Sequence, residues 1–326
     1  MNTKYKIAIC FDGTWNTVEC PGKYSNVKKL KDRIVKKNSE EDGTIITKTF
    51  YVDGPGTRPQ TRKLDGAFAF NLPKIIFDAY RWLSITYCDI LKSSDAPEIY
   101  LFGFSRGSYI AHVFSWILND IGITSELSLI QKAVDVYMSK DLKKLEQLKE
   151  KMDPAKVFTP VIRMMGLWDM VCAPLDFYKG FHDGERAPIV QSIYHAMSLD
   201  EKRAFFPVLK YKKGDERVNQ CWFSGVHSDV GGGYEDTVLS DITLDWMLDN
   251  AIKEGLIIKE IIASKDVPQK TEDFVNMQVH DESGSQKNFR LFEEESIDDS
   301  VYRRMKQDPS YHPLAKNFPE KKTDYV

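Results

Sequence analysis

The pentapeptide Gly103-Phe104-Ser105-Arg106-Gly107 constrains the fold of this chain more than any other feature. It continues from EIYLFG, which has the apolar pattern of a buried strand, and it leads into SYIAHVFSWIL, which has a helical pattern. A serine between a strand and a helix, with glycine two residues before and after it, is typical of a nucleophile elbow. Glycine is needed there because the tight, strained turn leaves no room for side chains. The pattern predicts that Ser105 is a nucleophile.

The main chain after Ser105 is suited to stabilising negative charge. In an elbow the serine oxygen lies above the sheet at the start of a helix, and the N–H of Arg106 points at a developing oxyanion. The same residues would also fit an ordinary helix N-cap at Ser105. The strand pattern directly before the serine favours the elbow.

Apolar runs that resemble strands alternate with helical patterns along the whole chain. The predicted strands are 6–11, 45–52, 98–103, 161–168 and 221–226. The predicted helices begin at Pro73, run from Ser105 to Ile121 before Gly122, and run from a cap at Ser240 or Asp241 to about Glu254. This alternation predicts an α/β fold with a mainly parallel central sheet flanked by helices.

A chain of 326 residues could form one large α/β domain or two smaller ones. The segment from Lys259 to Asp299 is polar and irregular, which is typical of loops, edge elements or a cap over a site. We expect a single catalytic domain over 1–326, with room for cap or lid insertions around 174–215 and 259–299.

Charge and hydropathy narrow the classes of partner. A net charge of −3 argues against nucleic acid as the main partner. No apolar run approaches the ~18 to 20 residues that span a bilayer, so we expect no transmembrane segment, although peripheral contact with a membrane stays compatible. The first apolar run is too short for a signal peptide. We therefore expect a protein that is cytoplasmic as synthesised, with secretion only by a signal-independent route.

The five cysteines are odd in number and widely spaced, without a Cys-x-x-Cys pair. This pattern disfavours a disulfide framework and a zinc site, and it fits cysteines that fill a core. We expect neither a metal nor an organic cofactor. The pattern does not set an oligomeric state.

A serine hydroxyl needs a histidine base, and the histidine needs an acid to orient it. In this type of fold the order along the chain is serine, acid, histidine. His227 ends the strand pattern CWFSGV and opens the glycine-rich SDVGGGY, and catalytic residues collect at such strand ends. His112 lies two turns inside the helix after Ser105, which suits a base poorly. The other histidines after Ser105 are His182, His195, His280 and His312.

The acid predicted from placement is Asp169, which ends the strand pattern VIRMMGLW. Asp229 is the alternative acid, although its nearness to His227 suits a structural role in the loop better. The predicted triad is therefore Ser105, Asp169 and His227. The alternative role for Asp169 is that of an aspartate in a turn. The alternative role for His227 is that of a loop histidine bonded to the backbone.

The first predicted strand ends in FDGTWN, and a loop of small residues after an early strand commonly supplies the second oxyanion donor. We expect that donor to be the N–H of Gly13 or Thr14. Asp12 could instead be the nucleophile or metal ligand of a phosphatase, but no second carboxylate cluster lies near it in the sequence. The aromatic residues that would line an acyl pocket or fill the core are Trp15, Phe177, Tyr178 and Phe181.

Six sequence blocks match a known family in content and in order: CFDGTWN, YVDGPGT, LFGFSRGSYIAH, MGLWDMV, YHAMSLDEKRAFFP and WFSGVHSDVGGGY. With these blocks the chain resembles the DUF2235 family from about Lys6 to Asn317. That family includes the catalytic domains of phospholipase effectors of type VI secretion. The resemblance implies an α/β-hydrolase fold and lipolytic or esterase chemistry.

The resemblance also implies a triad at Ser105, Asp169 and His227, and it keeps Asp12 and Gly13 as site candidates. Two departures bear on the pocket or its lid. The family often continues its serine motif with Ala-Tyr-x-Ala-Arg, whereas this chain has Ser108 to His112. The family often has Ile-His-x-Ser near its end, whereas Asp298 follows Ile297 here.

The expected function is hydrolysis of carboxylic esters, chiefly lipid or phospholipid acyl esters, through an acyl-enzyme. An esterase or thioesterase acting on small soluble acyl compounds is the alternative within the same class. The alternatives from other classes are a binding module that keeps the fold without the chemistry, and a phosphoryl hydrolase that uses Asp12.

Overall fold

The computed structural model describes residues 2–13, 23–40, 43–54, 67–172, 182, 184–259, 279–281 and 288–319. The strands in these parts of the chain are β1 (Asn2–Phe11), β2 (Lys37–Glu40), β3 (Gly43–Val52), β4 (Glu98–Phe104), β5 (Ile123–Thr124), β6 (Val157–Phe158), β7 (Ile162–Trp168), β8 (Ile193–Ser198), β9 (Val218–Phe223) and β10 (Ser296–Ile297).

The helices of the same residues surround that set of strands. They are α1 (Asn26–Arg33), α2 (Ala67–Ile90), α3 (Arg106–Ile121), α4 (Leu127–Met138), α5 (Leu142–Lys149), α6 (His227–Gly231), α7 (Val238–Lys253) and α8 (Asp299–Gln307), with a 3-10 turn at Pro154–Lys156. None of these described helices combines the length and the apolar character needed to cross a bilayer.

Eight of the described strands form one sheet in the order β10-β9-β8-β7-β4-β1-β3-β2, and β5 pairs with β6 separately. Every neighbouring pair in the large sheet is parallel except β2 with β3. Parallel neighbours end at the same edge, so β4 brings its carboxyl end between those of β1 and β7. Phe11 pairs with Gly103, and Phe104 pairs with Trp168. The predicted α/β fold with a mainly parallel sheet is confirmed.

Both faces of the sheet are covered. Ile7 and Ile9 of β1 point into one apolar cluster with residues of α2, α3 and α4, whereas Ala8 and Cys10 point into a second cluster with residues of α1 and α7. Successive side chains of a strand face opposite sides, which explains why β1 is apolar throughout. The two clusters hold the strand ends, and therefore the site, in a rigid frame.

The predicted helix starts differ from those of the structure. The helix expected to begin at Pro73 begins at Ala67, and Pro73 lies inside it. A proline in the second turn removes one backbone hydrogen bond, so the apolar stretch before it can still be helical. The helix expected to be capped by Ser240 or Asp241 begins at Val238, after Thr237.

Part of the stretch predicted to hold a cap or lid, 174–215, belongs to the sheet. Strand β8 lies between β7 and β9, and all six of its residues are buried. This strand was not predicted because the expected strand pattern was an unbroken apolar run, and β8 contains the polar residues His195 and Ser198. The two predicted insertions, 174–215 and 259–299, lie partly outside the described residues, which omit 173–181, 183, 260–278 and 282–287.

Candidate active site

Ser105 lies at the sharp turn between β4 and α3. Its backbone has φ 59° and ψ −126°, a conformation that residues with a side chain rarely adopt. Its N–H donates to the carbonyl of Trp168 at 2.9 Å. Strain of this kind persists only where the surrounding structure enforces it, and it is common at functional sites. The turn projects the hydroxyl of Ser105 from the carboxyl edge of the sheet.

The two flanking glycines are required by close contacts. A Cβ built on Gly107 would lie 2.1 Å from the backbone oxygen of Phe11, and one built on Gly103 would lie 2.6 Å from the backbone oxygen of Gly107. Helix α3 therefore starts in direct contact with the end of β1. This contact brings the loop that begins at Asp12 beside the serine.

His227 reaches Ser105 from the first residue of α6. Its Nε2 lies 2.8 Å from the hydroxyl oxygen of Ser105, and its Nδ1 lies 2.6 Å from Oδ2 of Asp169. The rings of Phe104 and Phe206 pack against the imidazole with centroids 4.7 Å and 4.9 Å away. The structure thus brings together the three residues of the predicted triad.

The segment after His227, predicted to be a glycine-rich loop, is the short helix α6. Gly231 ends this helix against the ring of Phe104, where an added Cβ would lie 1.9 Å from a ring carbon. Close packing against Phe104 therefore explains why this position is a glycine. The helix fixes the direction from which His227 approaches Ser105.

Asp169 is 0% exposed and accepts hydrogen bonds on both carboxylate oxygens. Ser198 donates to Oδ1 from its N–H at 2.9 Å and to Oδ2 from its hydroxyl at 3.3 Å. Burial alone would raise the pKa of Asp169, but Arg290 and His227 hold that pKa well below its usual range. Asp169 is therefore an ionised acceptor for Nδ1–H of His227 at neutral pH.

Burial lowers the pKa of His227 below the ordinary histidine value of 6.5, although its hydrogen bond to Asp169 acts in the opposite direction. A neutral imidazole with hydrogen on Nδ1 leaves Nε2 free to accept from the serine hydroxyl. This is the protonation state that a general base requires.

Arg290 is a neighbour of the site that the sequence pattern did not reveal. Its Nη2 lies 2.8 Å from Oδ2 of Asp169, and its Nη1 bonds Oδ1 of the same carboxylate. It lies 121 positions from Asp169, inside the stretch predicted to be loops or a cap. No motif or periodicity marks it, so only the structure could have found it.

His195 supports the same turn from β8. Its Nε2 accepts the N–H of Met170 at 3.0 Å, and burial lowers its pKa to about 4. A neutral ring can accept this bond, and it fixes the residue that follows Asp169. The sequence pattern indicates no role for His195 beyond its position after Ser105.

Asp12 lies beside the elbow and is 2% exposed. Its carboxylate accepts from the N–H of Gly13 and from the hydroxyl of Ser25, each at 2.6 Å, and from the hydroxyl of Tyr51. Burial raises the pKa of Asp12 to about 6. In this structure the N–H of Gly13, a predicted oxyanion donor, is therefore bound to Asp12.

Other predicted site residues lie partly outside the described structure. Arg106 is the first residue of α3, at the end of the helix where N–H groups have no acceptor within the helix. The residues outside the described ranges are Thr14, Trp15, Phe177, Tyr178 and Phe181.

The alternative candidates have other partners. Oδ2 of Asp229 accepts the N–H of Val226 at 3.0 Å, and its Oδ1 lies 2.7 Å from Nδ1 of His280. His112 is buried and bonds the hydroxyl of Tyr211 at 3.0 Å. Within the described residues, no group of three or more His, Cys, Asp or Glu side chains is arranged to hold a metal ion.

A cavity of about 340 Å³ adjoins the site through Tyr109 of α3 and Met170 after Asp169. Its lining includes lysines and glutamates, among them the Lys210–Glu295 ion pair at 2.6 Å. Ser105 and His227 are not among its lining residues.

Comparison with known proteins finds relatives that match part of this chain. A curated, uncharacterized protein of Saccharomyces cerevisiae is 27% identical over 225 residues, which are 62% of this chain and 32% of that protein. An uncharacterized protein from Pseudomonas aeruginosa has a solved structure with TM-score 0.48 and 17% identity, covering 79% of this chain and 46% of that one.

The solved Tle1 effector bound to the VgrG spike of the type 6 secretion system is 18% identical, with TM-score 0.44, over 72% of this chain and 52% of that one. This chain thus spans about a third to a half of the length of these relatives. A family model for the catalytic domain of Tle1-like type VI secretion phospholipase effectors matches residues 5–250, a range that holds Ser105, Asp169 and His227. By this match, and as its sequence blocks indicated, the chain belongs to the Tle1-like catalytic domain family, a family of ester hydrolases.

Proposed function

We propose that this chain is a serine hydrolase of carboxylic esters, with Ser105 as nucleophile, His227 as general base and acid, and Asp169 as the group that orients the imidazole. The supporting observation is the continuous chain of hydrogen bonds from Ser105 through His227 to Asp169, with distances of 2.8 Å and 2.6 Å. Ser105, the first residue in this series of hydrogen bonds, has a strained backbone conformation, as the serine of a nucleophile elbow does.

In the proposed reaction the oxygen of Ser105 attacks the ester carbonyl while its proton passes to Nε2 of His227. The resulting tetrahedral intermediate collapses as His227 gives that proton to the departing alcohol, which leaves an acyl-enzyme. Water then attacks the acyl carbon, and its proton follows the same route through His227 back to Ser105. The products are the free acid and the regenerated enzyme.

Backbone donors would stabilise the oxyanion of both intermediates. We propose the N–H of Arg106 at the start of α3 and an N–H of the loop Gly13–Thr14 after β1. Donors of this kind contribute on the order of 3 kcal/mol each. Since the N–H of Gly13 is bound to Asp12, it becomes an oxyanion donor only if the substrate oxygen replaces that carboxylate as its acceptor.

Family membership supports a lipid or phospholipid acyl ester as the substrate, together with delivery by secretion that needs no signal peptide. We also infer that 1–326 act as one catalytic domain, because the large sheet includes both β1 and β10. A small soluble ester or thioester remains the alternative substrate of the same machinery.

Labelling with a fluorophosphonate probe tests the nucleophile. We expect the adduct on Ser105 in the wild type and its loss in Ser105→Ala and His227→Ala. Ser115→Ala is a matched control, because this buried serine of α3 donates to the carbonyl of His112 within its own helix. A folded wild type that takes no label, or a label that persists in Ser105→Ala, would refute the proposal.

The substrate class is tested by comparing a micellar phospholipid with a short soluble ester. For a lipid hydrolase we expect kcat/KM to be at least about tenfold higher on the aggregated lipid. Ser105→Ala serves as the blank for both substrates. Equal or greater activity on the soluble ester would favour the small-substrate alternative.

A further inference from the structure

We propose that Arg290 is a positioning residue of the hydrolytic site, whose guanidinium fixes both carboxylate oxygens of Asp169 and, through them, the orientation and charge of His227. This proposal rests on the proposed function of the triad. Arg290 lies outside the range 5–250 that matches the family model. It is therefore a part of the site that the family match does not include.

The guanidinium is held in a single orientation. Besides its two bonds to Asp169, its Nη1 donates to the carbonyl of Ser198 at 3.0 Å and to the hydroxyl of Ser198 at 2.7 Å. Its Nη2 also donates to the carbonyl of Phe206 at 3.0 Å. A planar fork bound to both carboxylate oxygens restricts rotation of the carboxylate. Oδ2 of Asp169 is thereby kept in line with Nδ1 of His227.

The backbone around Arg290 explains how this side chain is buried although its neighbours in the sequence are exposed. Residues 289–292 alternate between exposed and buried, with Phe289 and Leu291 facing outward and Arg290 and Phe292 facing inward. The segment is anchored at both ends. The N–H of Asn288 donates to the carbonyl of Lys202 at 2.7 Å, and the N–H of Phe292 donates to the carbonyl of Lys316 at 3.0 Å.

The positive charge of Arg290 also affects where protons bind in the site, because it pairs with the carboxylate of Asp169. Asp169 is fully buried, and a buried carboxylate without a cation is neutralised by binding a proton or by keeping its neighbour protonated. A proton on Asp169 would break the bond to Nδ1–H of His227. A retained proton on His227 would occupy the nitrogen that accepts from Ser105. Pairing with Arg290 removes the need for either.

His227 faces charges from several elements. Arg203 and Glu201, both after β8, are paired with each other through bonds of 2.7 Å and 2.9 Å, and Glu201 also accepts the N–H of His227 at 3.2 Å. Arg290 differs from Arg203 because its carboxylate partner is Asp169 itself. The groups around His227 are Asp169 directly after β7, Glu201 and Arg203 after β8, Asp229 with its partner His280, and Arg290.

The test compares Arg290→Met and Arg290→Lys with the wild type. One readout is the pH dependence of kcat/KM on a soluble ester. The other is the titration of the His227 ring followed by NMR in a Ser105→Ala background, which does not depend on turnover. For Arg290→Met we expect the acid limb and the ring titration to move up by about one pH unit, because Arg290 lowers the pKa of His227.

We further expect Arg290→Met to lower kcat on the order of tenfold or more, through loss of alignment. Arg290→Lys keeps the charge without the fork, so it should restore the wild-type pH profile at a reduced kcat. Arg304→Met is the matched control, because Arg304 is equally buried in the C-terminal part of the chain but packs on Tyr311. It should leave both pH readouts unchanged.

The proposal is overturned if Arg290→Met loses activity equally at every pH while the titration of His227 stays at its wild-type position. If Arg290→Met does not fold, Arg290→Lys decides, since an unchanged kcat for that variant also refutes positioning by the fork. Failure of the triad proposal is distinguishable from failure of this one. It would show as a wild type without labelling or turnover, whereas the NMR titration would still report whether Arg290 sets the charge of His227.

Discussion

The carboxylate of Asp229, only two residues after His227, binds the imidazole of His280 at 2.7 Å. Its second oxygen accepts the N–H of Val226 at the start of α6. Asp169, 58 positions before His227, supplies the carboxylate that bonds Nδ1. Proximity in sequence is therefore a poor guide to which acid serves this histidine, and the two acids make a matched pair for mutagenesis.

We expect Asp169→Asn to lower kcat on a soluble ester by about 10⁴, because the amide favours the wrong histidine tautomer. Asp229→Asn should keep kcat within about tenfold of the wild type while lowering thermal stability, because it weakens the start of α6. Steady-state kinetics with folded protein checked by circular dichroism measures both. The reverse order of effects would identify Asp229 as the acid.

The pH dependence of kcat/KM should show that His227 is already neutral, and so able to act as a base, in mildly acidic solution. His227 acts as a base only when neutral, and burial lowers its pKa below 6.5. We therefore expect kcat/KM on a soluble ester to rise with pH to a midpoint below 6.5 and to be flat from about pH 7 to 8. A midpoint above pH 7 would contradict a neutral His227 in the resting site.

Gly107→Ala should disrupt the elbow, because the new Cβ would meet the backbone oxygen of Phe11 at 2.1 Å and could not be relieved by a rotamer change. We expect a loss on the order of 3 kcal/mol in the free energy of unfolding, together with loss of labelling at Ser105. Gly214→Ala is the control, since no atom lies within 4 Å of the new Cβ and the only cost is the positive φ of 94° at Gly214, which Gly107 does not share. Urea unfolding compares the two, and the control should lose only about 1 kcal/mol.

Asp12 should make the protein less stable as pH rises. Its pKa in the folded state is raised from 3.8 to about 6, so its contribution to stability is complete below about pH 4 and is lost as pH rises through 6. Asp12→Asn removes the charge, and we expect it to increase the free energy of unfolding at pH 8 by up to about 3 kcal/mol. Denaturant unfolding at pH 5 and pH 8 measures this, and a variant less stable than the wild type at pH 8 would contradict it.

The sequence alone predicted the fold class and the meeting of Ser105, Asp169 and His227, because each residue comes soon after the end of a strand and parallel strands end at one edge. Strand β8 escaped prediction because His195 and Ser198 interrupt its apolar run, although both are buried between neighbouring strands. The start of α2 was misplaced because Pro73 fits a first turn as well as a second.

The role of Arg290 in the site could not be predicted from the sequence for a different reason. Its partner lies 121 positions away, and neither helical nor strand periodicity links residues across that distance. The state of Gly13 was equally hidden, because a main-chain N–H carries no sequence signal that tells whether Asp12 already binds it. Contacts of both kinds depend on the packing of segments that are remote in the chain.

The bonds of the site join positions 58, 121 and 122 residues apart, so the site is complete only after distant parts of the chain have come together. Closing such long loops costs entropy before any contact repays it, and chains rich in distant contacts fold slowly. During synthesis, Ser105, Asp169 and His227 leave the ribosome before Arg290 does. We expect a nascent chain that ends before Arg290 to carry the three triad residues without the cation that pairs with Asp169, so that activity reaches its full value only after Arg290 has been translated and has entered the site.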